Sequence, residues 1–279
     1  MSKKKYSIGF MQGRLTDLVD NMIQSFPWNN WEKEFSIANQ NNLELIEWTL
    51  DAKNLYQNPI MNENGRKKIK YLCEQFNLKV PSLTGDCFMQ EPFWKTKNPS
   101  NLKKEFNDIC EAAAILGITF IVIPLVDNGS FENNSQKDLF TNYLLDQYIY
   151  LKKKKIKIIF ESDLNPIKLK EFISNFPEDT FGINYDIGNS AALNYDSNQE
   201  FSAYGGRILN IHVKDRLKGG KTVPLGSGNA DFKKVFNNIA SVKYSGNFIL
   251  QTARAENNNH LDVILKYKKF TEELLESIY

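Results

Sequence analysis

Eight short runs rich in Ile, Val and Phe recur along the chain, each followed by a longer amphipathic stretch, and this alternation constrains the fold more than any other feature. The runs begin near Tyr6 (YSIGFMQGR), Leu43 (LELIEWTLD), Leu78 (LKVPSLTGD), Ile118 (ITFIVIPLVD), Ile156 (IKIIFESDL), Thr180 (TFGINYDIGN), Ile208 (ILNIHVKDR) and Asn247 (NFILQTARA). Strands and helices that alternate in this way build βαβ units rather than separate α and β blocks. Near-continuous apolar character marks strands buried on both faces, as in a parallel sheet covered by helices. Eight such repeats in 279 residues predict an α/β fold, a closed (β/α)8 TIM barrel forming a single domain over residues 1–279. An open doubly wound sheet that binds a dinucleotide would need G-x-G-x-x-G after the first run, which Gly9 and Gly13 do not supply.

Helical periodicity is clearest over Trp31 to Asn41, Glu63 to Phe76, Pro99 to Leu116, Gln136 to Lys155, Pro166 to Asn175, Asp231 to Ala240 and His260 to Ile278. A weaker, shorter helix follows Asn194. Asn98-Pro99 and Asn165-Pro166 each place a capping side chain ahead of a proline suited to a first helical turn. Pro81 and Pro124 interrupt strand runs and remove a ladder donor, so a local break or bulge is expected at each. Gly219-Gly220-Lys221-Thr222 imitates the end of a phosphate-binding loop, but that motif needs a glycine where the chain has Asp215. Lys152 to Lys155 close a long helix, where cations complement the dipole, and form a solvated helix end.

The 35 basic and 33 acidic residues nearly cancel, leaving a formal net charge of +2. No field that would gather nucleic acid or an anionic membrane results. No apolar window reaches the roughly 18 residues of a membrane span. The start Met1-Ser2-Lys3-Lys4-Lys5 is charged but lacks the apolar stretch of a secretory leader. Cys73, Cys87 and Cys110 are odd in number and have no metal-type spacing. They fit reduced thiols, and the expected location is cytoplasmic.

Chemistry concentrates in Asn210-Ile211-His212-Val213-Lys214-Asp215-Arg216. Strand alternation puts Asn210, His212 and Lys214 on one face and Ile211 and Val213 on the other. His212 is one of only two histidines in the chain. Barrel enzymes carry their chemistry at the carboxyl ends of the strands. There the fifth run closes with Glu161, the sixth with Asp186, the seventh with His212 and the eighth with Gln251. Four such donors on consecutive strands converge at the barrel mouth and suit a divalent ion, Mn2+, Co2+, Mg2+ or Zn2+, with positions left open for substrate and water.

With these residues in place, the chain resembles the xylose-isomerase-like barrels, in particular the sugar (phosphate) isomerases and epimerases that include pentulose-phosphate 3-epimerases and hydroxypyruvate isomerases. The resemblance runs from Ile8-Gly9-Phe10 to the last helix. It is sharpest at His212-Val213-Lys214-Asp215, Val223-Pro224-Leu225-Gly226-Ser227-Gly228 and Asp231-Phe232. It implies a metal held by Glu161, Asp186, His212 and the residue at 251. In such relatives that last position is a second glutamate, and the two glutamates work on opposite faces of the substrate. Here it is Gln251, so the donor set carries two negative charges instead of three and a divalent ion leaves it neutral. An amide cannot take the proton, and loss of a positioned base costs about 10²- to 10⁴-fold. This argues against a two-base inversion through residues 161 and 251. A one-face aldose–ketose shift needs one base, a role open to Glu161; Glu47, at the second run, or Lys214 would be the substitute base for epimerisation.

Asn189 stands where many relatives have a substrate-contacting histidine. Lys214, Arg216 and Arg254 gather at the last two strand ends as a candidate site for phosphate or carboxylate, unless Arg216 and Arg254 pair with Asp215 and Glu256. Trp28, Trp48, Phe88, Phe93 and Trp94 are candidates for an apolar wall over the sugar or for core, and His260 is expected to be structural. Two histidines cannot build the three-zinc site of the DNA-repair endonucleases that share this barrel, which agrees with the absence of a basic stripe. The expected function is a metal-dependent isomerase or epimerase of a small keto sugar, sugar phosphate or sugar acid acting through an enediolate, with no nucleic-acid or membrane partner. Family habit implies a homo-oligomer. A lyase or dehydratase of a keto-polyol and a non-catalytic sugar-binding barrel remain as alternatives, since fold alone does not fix function.

Overall fold

The computed structural model describes residues 6–278; the charged start Met1 to Lys5 lies outside the described residues. The strands are β1 (Ser7–Met11), β2 (Leu45–Thr49), β3 (Lys79–Thr84), β4 (Phe120–Leu125), β5 (Lys157–Ser162), β6 (Phe181–Asp186), β7 (Ile208–Val213), the short pair β8 (Asp215–Arg216) and β9 (Thr222–Val223), and β10 (Asn247–Leu250). All but β8 and β9 form one closed barrel in the order β1-β10-β7-β6-β5-β4-β3-β2. The closing pair is parallel, with Ser7 opposite Asn247 and Phe10 opposite Leu250. Each of the eight expected runs is a barrel strand.

The helices are α1 (Trp31–Gln40), α2 (Glu63–Phe76), α3 (Asp86–Gln90), α4 (Ser100–Leu116), α5 (Asn134–Asp146), α6 (Tyr148–Lys154), α7 (Pro166–Ser174), α8 (Ile187–Ala192), α9 (Ser197–Tyr204), α10 (Phe232–Ser241) and α11 (His260–Glu276). The helix expected over 136–155 is two, separated at Gln147, whose amide is shared between the carbonyls of Tyr143 and Leu144. The weak helix expected after Asn194 is α9, and α8, which precedes Asn194, was not expected. Asn165 caps α7 by accepting from the Lys168 amide, as its sequence context predicts. Asn98 does not cap α4, which starts at Ser100 without a side-chain cap.

Of the two strand prolines, Pro81 sits in a bulge: between the pairs Leu45–Lys79 and Glu47–Ser82, β3 spends one residue more than β2. Pro124 keeps register with Glu161 on β5 and makes no bulge there. The ladder to β3 has already ended at Val122, so the missing donor costs nothing on that side.

The main core lies between strands and helices and is strongly aromatic. The Phe160 ring centroid lies 5.2 Å from that of Phe172, edge-on, and 5.2 Å from that of Phe176, tilted, and Phe140 meets Phe160 edge-on at 5.8 Å. Inside the barrel the chain changes character. Met11, Leu45, Val122, Ile159 and Ile249 are buried and fill its lower part. Gly9 is required there, because a Cβ would come within 2.5 Å of the Leu45 Cβ. Above this plug the inward residues are polar.

Candidate active site

Asn210 and His212 point inward from β7, as alternation predicts, and both are fully buried. The His212 ring is held at both nitrogens: Nε2 is 2.6 Å from Glu47 Oε1 and Nδ1 is 3.0 Å from Glu161 Oε2. Glu47 reaches across from β2. It also accepts from Ser82 Oγ and Thr84 Oγ1, both at 2.6 Å, and from Asn210 Nδ2 at 2.9 Å. Burial alone would raise the Glu47 carboxyl, but the adjoining imidazole and these donors hold it below the usual carboxylate range. Burial would likewise depress His212, yet Glu47 and Glu161 push it up to about 10.

Glu47 therefore needs correction as a substitute base. It sits inside β2 rather than at its end, has no exposed surface, does not line the mouth cavity, and has its oxygens occupied by four donors. What it touches from there is the His212 ring, through Nε2.

One oxygen or nitrogen from each of Glu161, Asp186 and His212 lies within 4.8 Å of the others. Asp186 divides its oxygens: Oδ1 caps α8 through the Asn189 amide at 2.8 Å, and Oδ2 is 3.1 Å from Lys214 Nζ. Asn184 Nδ2 donates to Glu161 Oε2 at 3.0 Å, and Asn189 Nδ2 to Glu161 Oε1 at 2.6 Å. Gln251 reaches the same place indirectly, its Oε1 accepting from Lys214 Nζ at 3.2 Å. The ammonium thus lies between the expected fourth ligand and Asp186. Two carboxylates and an imidazole at this separation fit a divalent ion, provided that Nδ1 gives up its proton and Lys214 turns aside for Gln251 to join.

Over this group opens a cavity of about 430 Å³, lined by Glu161, Asn189, Lys214, Arg216 and Gln251 among others. Arg216 donates to Asn189 Oδ1 at 2.8 Å and to the Gly220 carbonyl, not to Asp215. Arg254 is a second correction. It leaves the cavity and donates to the carbonyls of Gly13 and Thr16, pinning the loop after β1, so the expected cluster of three cations is two. The aromatic wall is not there either: Trp48, Phe88, Phe93 and Trp94 are core, and Trp28 packs on Phe26 beside a separate cleft.

Asp215 accepts from the amides of Gly226, Gly228 and Ala230 and so folds the VPLGSG loop back on β8. Gly219 and Gly220 form the turn of the β8–β9 hairpin, not a phosphate loop. His260 opens α11, 4 % exposed.

Among the cavity residues that sequence reasoning missed are Asp86 and Gln24. Asp86 follows β3 directly, and the signal was available, because the run LKVPSLTGD closes on it as the fifth run closes on Glu161. Gln24, which donates to Asp86 Oδ2 at 2.6 Å, lies in the long loop between β1 and α1, where no periodicity marks it.

Comparison with known proteins agrees with this architecture. A putative L-ribulose-5-phosphate 3-epimerase of Haemophilus influenzae is 22 % identical over 293 residues, covering 98 % of each chain. An L-ribulose-5-phosphate 3-epimerase of Salmonella paratyphi A is 37 % identical over 67 residues; that match spans only 24 % of either chain. Among solved structures, a xylose isomerase-like TIM barrel protein from Mycobacterium smegmatis in complex with magnesium superposes with a TM-score of 0.70 at 13 % identity, over 97 % of both chains. Residues 35–270 match the family described as Xylose isomerase-like TIM barrel, and the chain belongs to that family.

Proposed function

We propose that the protein is a divalent-metal-dependent isomerase or epimerase of a small keto sugar, sugar phosphate or sugar acid. The observation that carries this reading is the meeting of Glu161, Asp186 and His212, from three successive strands, within 4.8 Å beneath a sugar-sized cavity. These three, with Gln251 as a neutral fourth donor, would hold the ion, which when bound supplies a Lewis acid beside the substrate's carbonyl oxygen.

The chain's own residues supply the rest. Glu161 lines the cavity and is the base that takes the proton from the carbon next to the carbonyl. Asn189 fixes the Glu161 carboxylate by its 2.6 Å bond. Lys214 and Arg216 are the cations available to a phosphate, a carboxylate or the negative charge that develops on oxygen. The full-length relative named a putative 3-epimerase supports the reaction class, and the magnesium-containing neighbour supports a metal. The three cysteines are unpaired, in keeping with a cytoplasmic enzyme.

The test is proton NMR in D2O of L-ribulose 5-phosphate, ribulose, tagatose and hydroxypyruvate with protein loaded with Mn2+ or Mg2+. Deuterium entering next to the carbonyl, abolished by chelator and by Glu161→Gln, is the expected result. A fully metallated protein that exchanges none of the panel defeats the reading, in favour of the lyase or binding alternatives.

A further inference from the structure

Asp86 is a carboxyl in the same cavity that the reaction described so far does not use. It is 7 % exposed, and Oδ2 accepts from Gln24 Nε2 at 2.6 Å, while Oδ1 has no hydrogen-bond partner among the described residues. Gln24 Oε1 in turn accepts from Gln251 Nε2 at 2.8 Å. Asp86 therefore stands two hydrogen bonds from the position whose side chain cannot take a proton. It enters from the end of β3 and Glu161 from the end of β5, next-but-one strands of the barrel, and both carboxyls line the same cavity. Burial, with Asp51 and Glu161 nearby, raises the Asp86 carboxyl to about 7 against the pull of Gln24 and Arg14. A carboxyl so placed exchanges protons readily near neutral pH.

We propose that Asp86 is the second proton-transferring group of this site, which makes the reaction an epimerisation at the carbon next to the carbonyl. The inference rests on the function proposed above. Glu161 takes the proton from that carbon; the C–H electron pair becomes the C=C bond of the enediolate and the carbonyl π pair moves to oxygen. Protonated Asp86 then gives its proton to the opposite face of the same carbon and the carbonyl re-forms. Glu161 ends protonated and Asp86 ionised, and exchange with solvent restores both.

The experiment compares metal-loaded wild type, Asp86→Asn and Asp86→Glu in D2O on the panel sugar that the wild type turns over, with thermal midpoint and metal stoichiometry measured alongside. Asn still accepts from Gln24, so the fold and the link to Gln251 are kept. The expected wild-type product is an epimer carrying solvent deuterium. Asp86→Asn is expected to lose epimer formation by on the order of 100-fold while still washing deuterium into unepimerised substrate through Glu161, and Asp86→Glu to recover part of the loss. Epimer formation by Asp86→Asn within about tenfold of wild type overturns the proposal. So does an equal loss of exchange and product, which is the mark of a positioning role, and so does a wild type that yields an aldose. A wild type with no exchange at all defeats the parent function instead, and is seen before any variant is made.

Discussion

His212 Nε2 lies 2.6 Å from Glu47 Oε1 deep in the barrel, and this bond aims the other ring nitrogen at Glu161 and Asp186. A carboxylate behind a metal-binding histidine fixes the ring and raises its basicity. Glu47→Gln is therefore expected to weaken Mn2+ binding about 10- to 100-fold, measured by isothermal titration calorimetry. An unchanged Kd would show that Ser82, Thr84 and Asn210 hold the ring without it.

In the proposed donor set Gln251 brings no charge, and its oxygen accepts from Lys214. Affinity in such oxygen-rich sites follows ligand charge. Gln251→Glu is expected to tighten Mn2+ binding by about tenfold, roughly 1.4 kcal/mol, in the same titration. No change, or a weakening, would mean that residue 251 is not a ligand and only positions Lys214.

Asp86 also ties stability to pH. Its folded pKa of about 7 stands above the ordinary 3.8, so between these values the native state binds a proton that the unfolded chain releases. Stability from this group is present at low pH and falls as pH rises, by up to about 1.4 kcal/mol per unit. His212, raised to about 10, has the same sign at higher pH. In metal-free protein, urea unfolding from pH 4.5 to 7.5 (about the window in which Asp86 titrates) is expected to lose stability with pH more steeply in wild type than in Asp86→Asn. Parallel curves would place the Asp86 titration outside this window.

Asp215 is buried and holds three amides of the loop after β9. Asp215→Ala leaves those donors without their acceptor, a loss of roughly 1–3 kcal/mol. The expected outcome is a lower urea midpoint with new protease cleavage between residues 217 and 230. Cleavage elsewhere first would count against Asp215 as the anchor of this loop.

The strand runs were legible because a parallel barrel buries both faces of every strand, and the resulting blocks of Ile, Val and Phe persist whatever the neighbours are. The triad of Glu161, Asp186 and His212 was legible for a related reason: each residue closes a run, and the barrel brings strand ends together by construction. Helix boundaries were less so. Nothing in residues 136–155 announces the break at Gln147.

What the sequence determined by itself was the eightfold βα order and the inward face of β7, both consequences of local periodicity. Only the tertiary structure decided which inward groups meet. Glu47 and His212 are 165 residues apart, and only barrel closure puts them in contact, turning a candidate base into a support. Arg254 lies 241 residues from the Gly13 carbonyl it binds, and that contact removes it from the cavity. Gln24 comes to Asp86 and Gln251 from a loop with no pattern of its own. Periodicity reports which way a side chain faces; the partner it finds there depends on contacts between distant segments, which exist only once the barrel has closed.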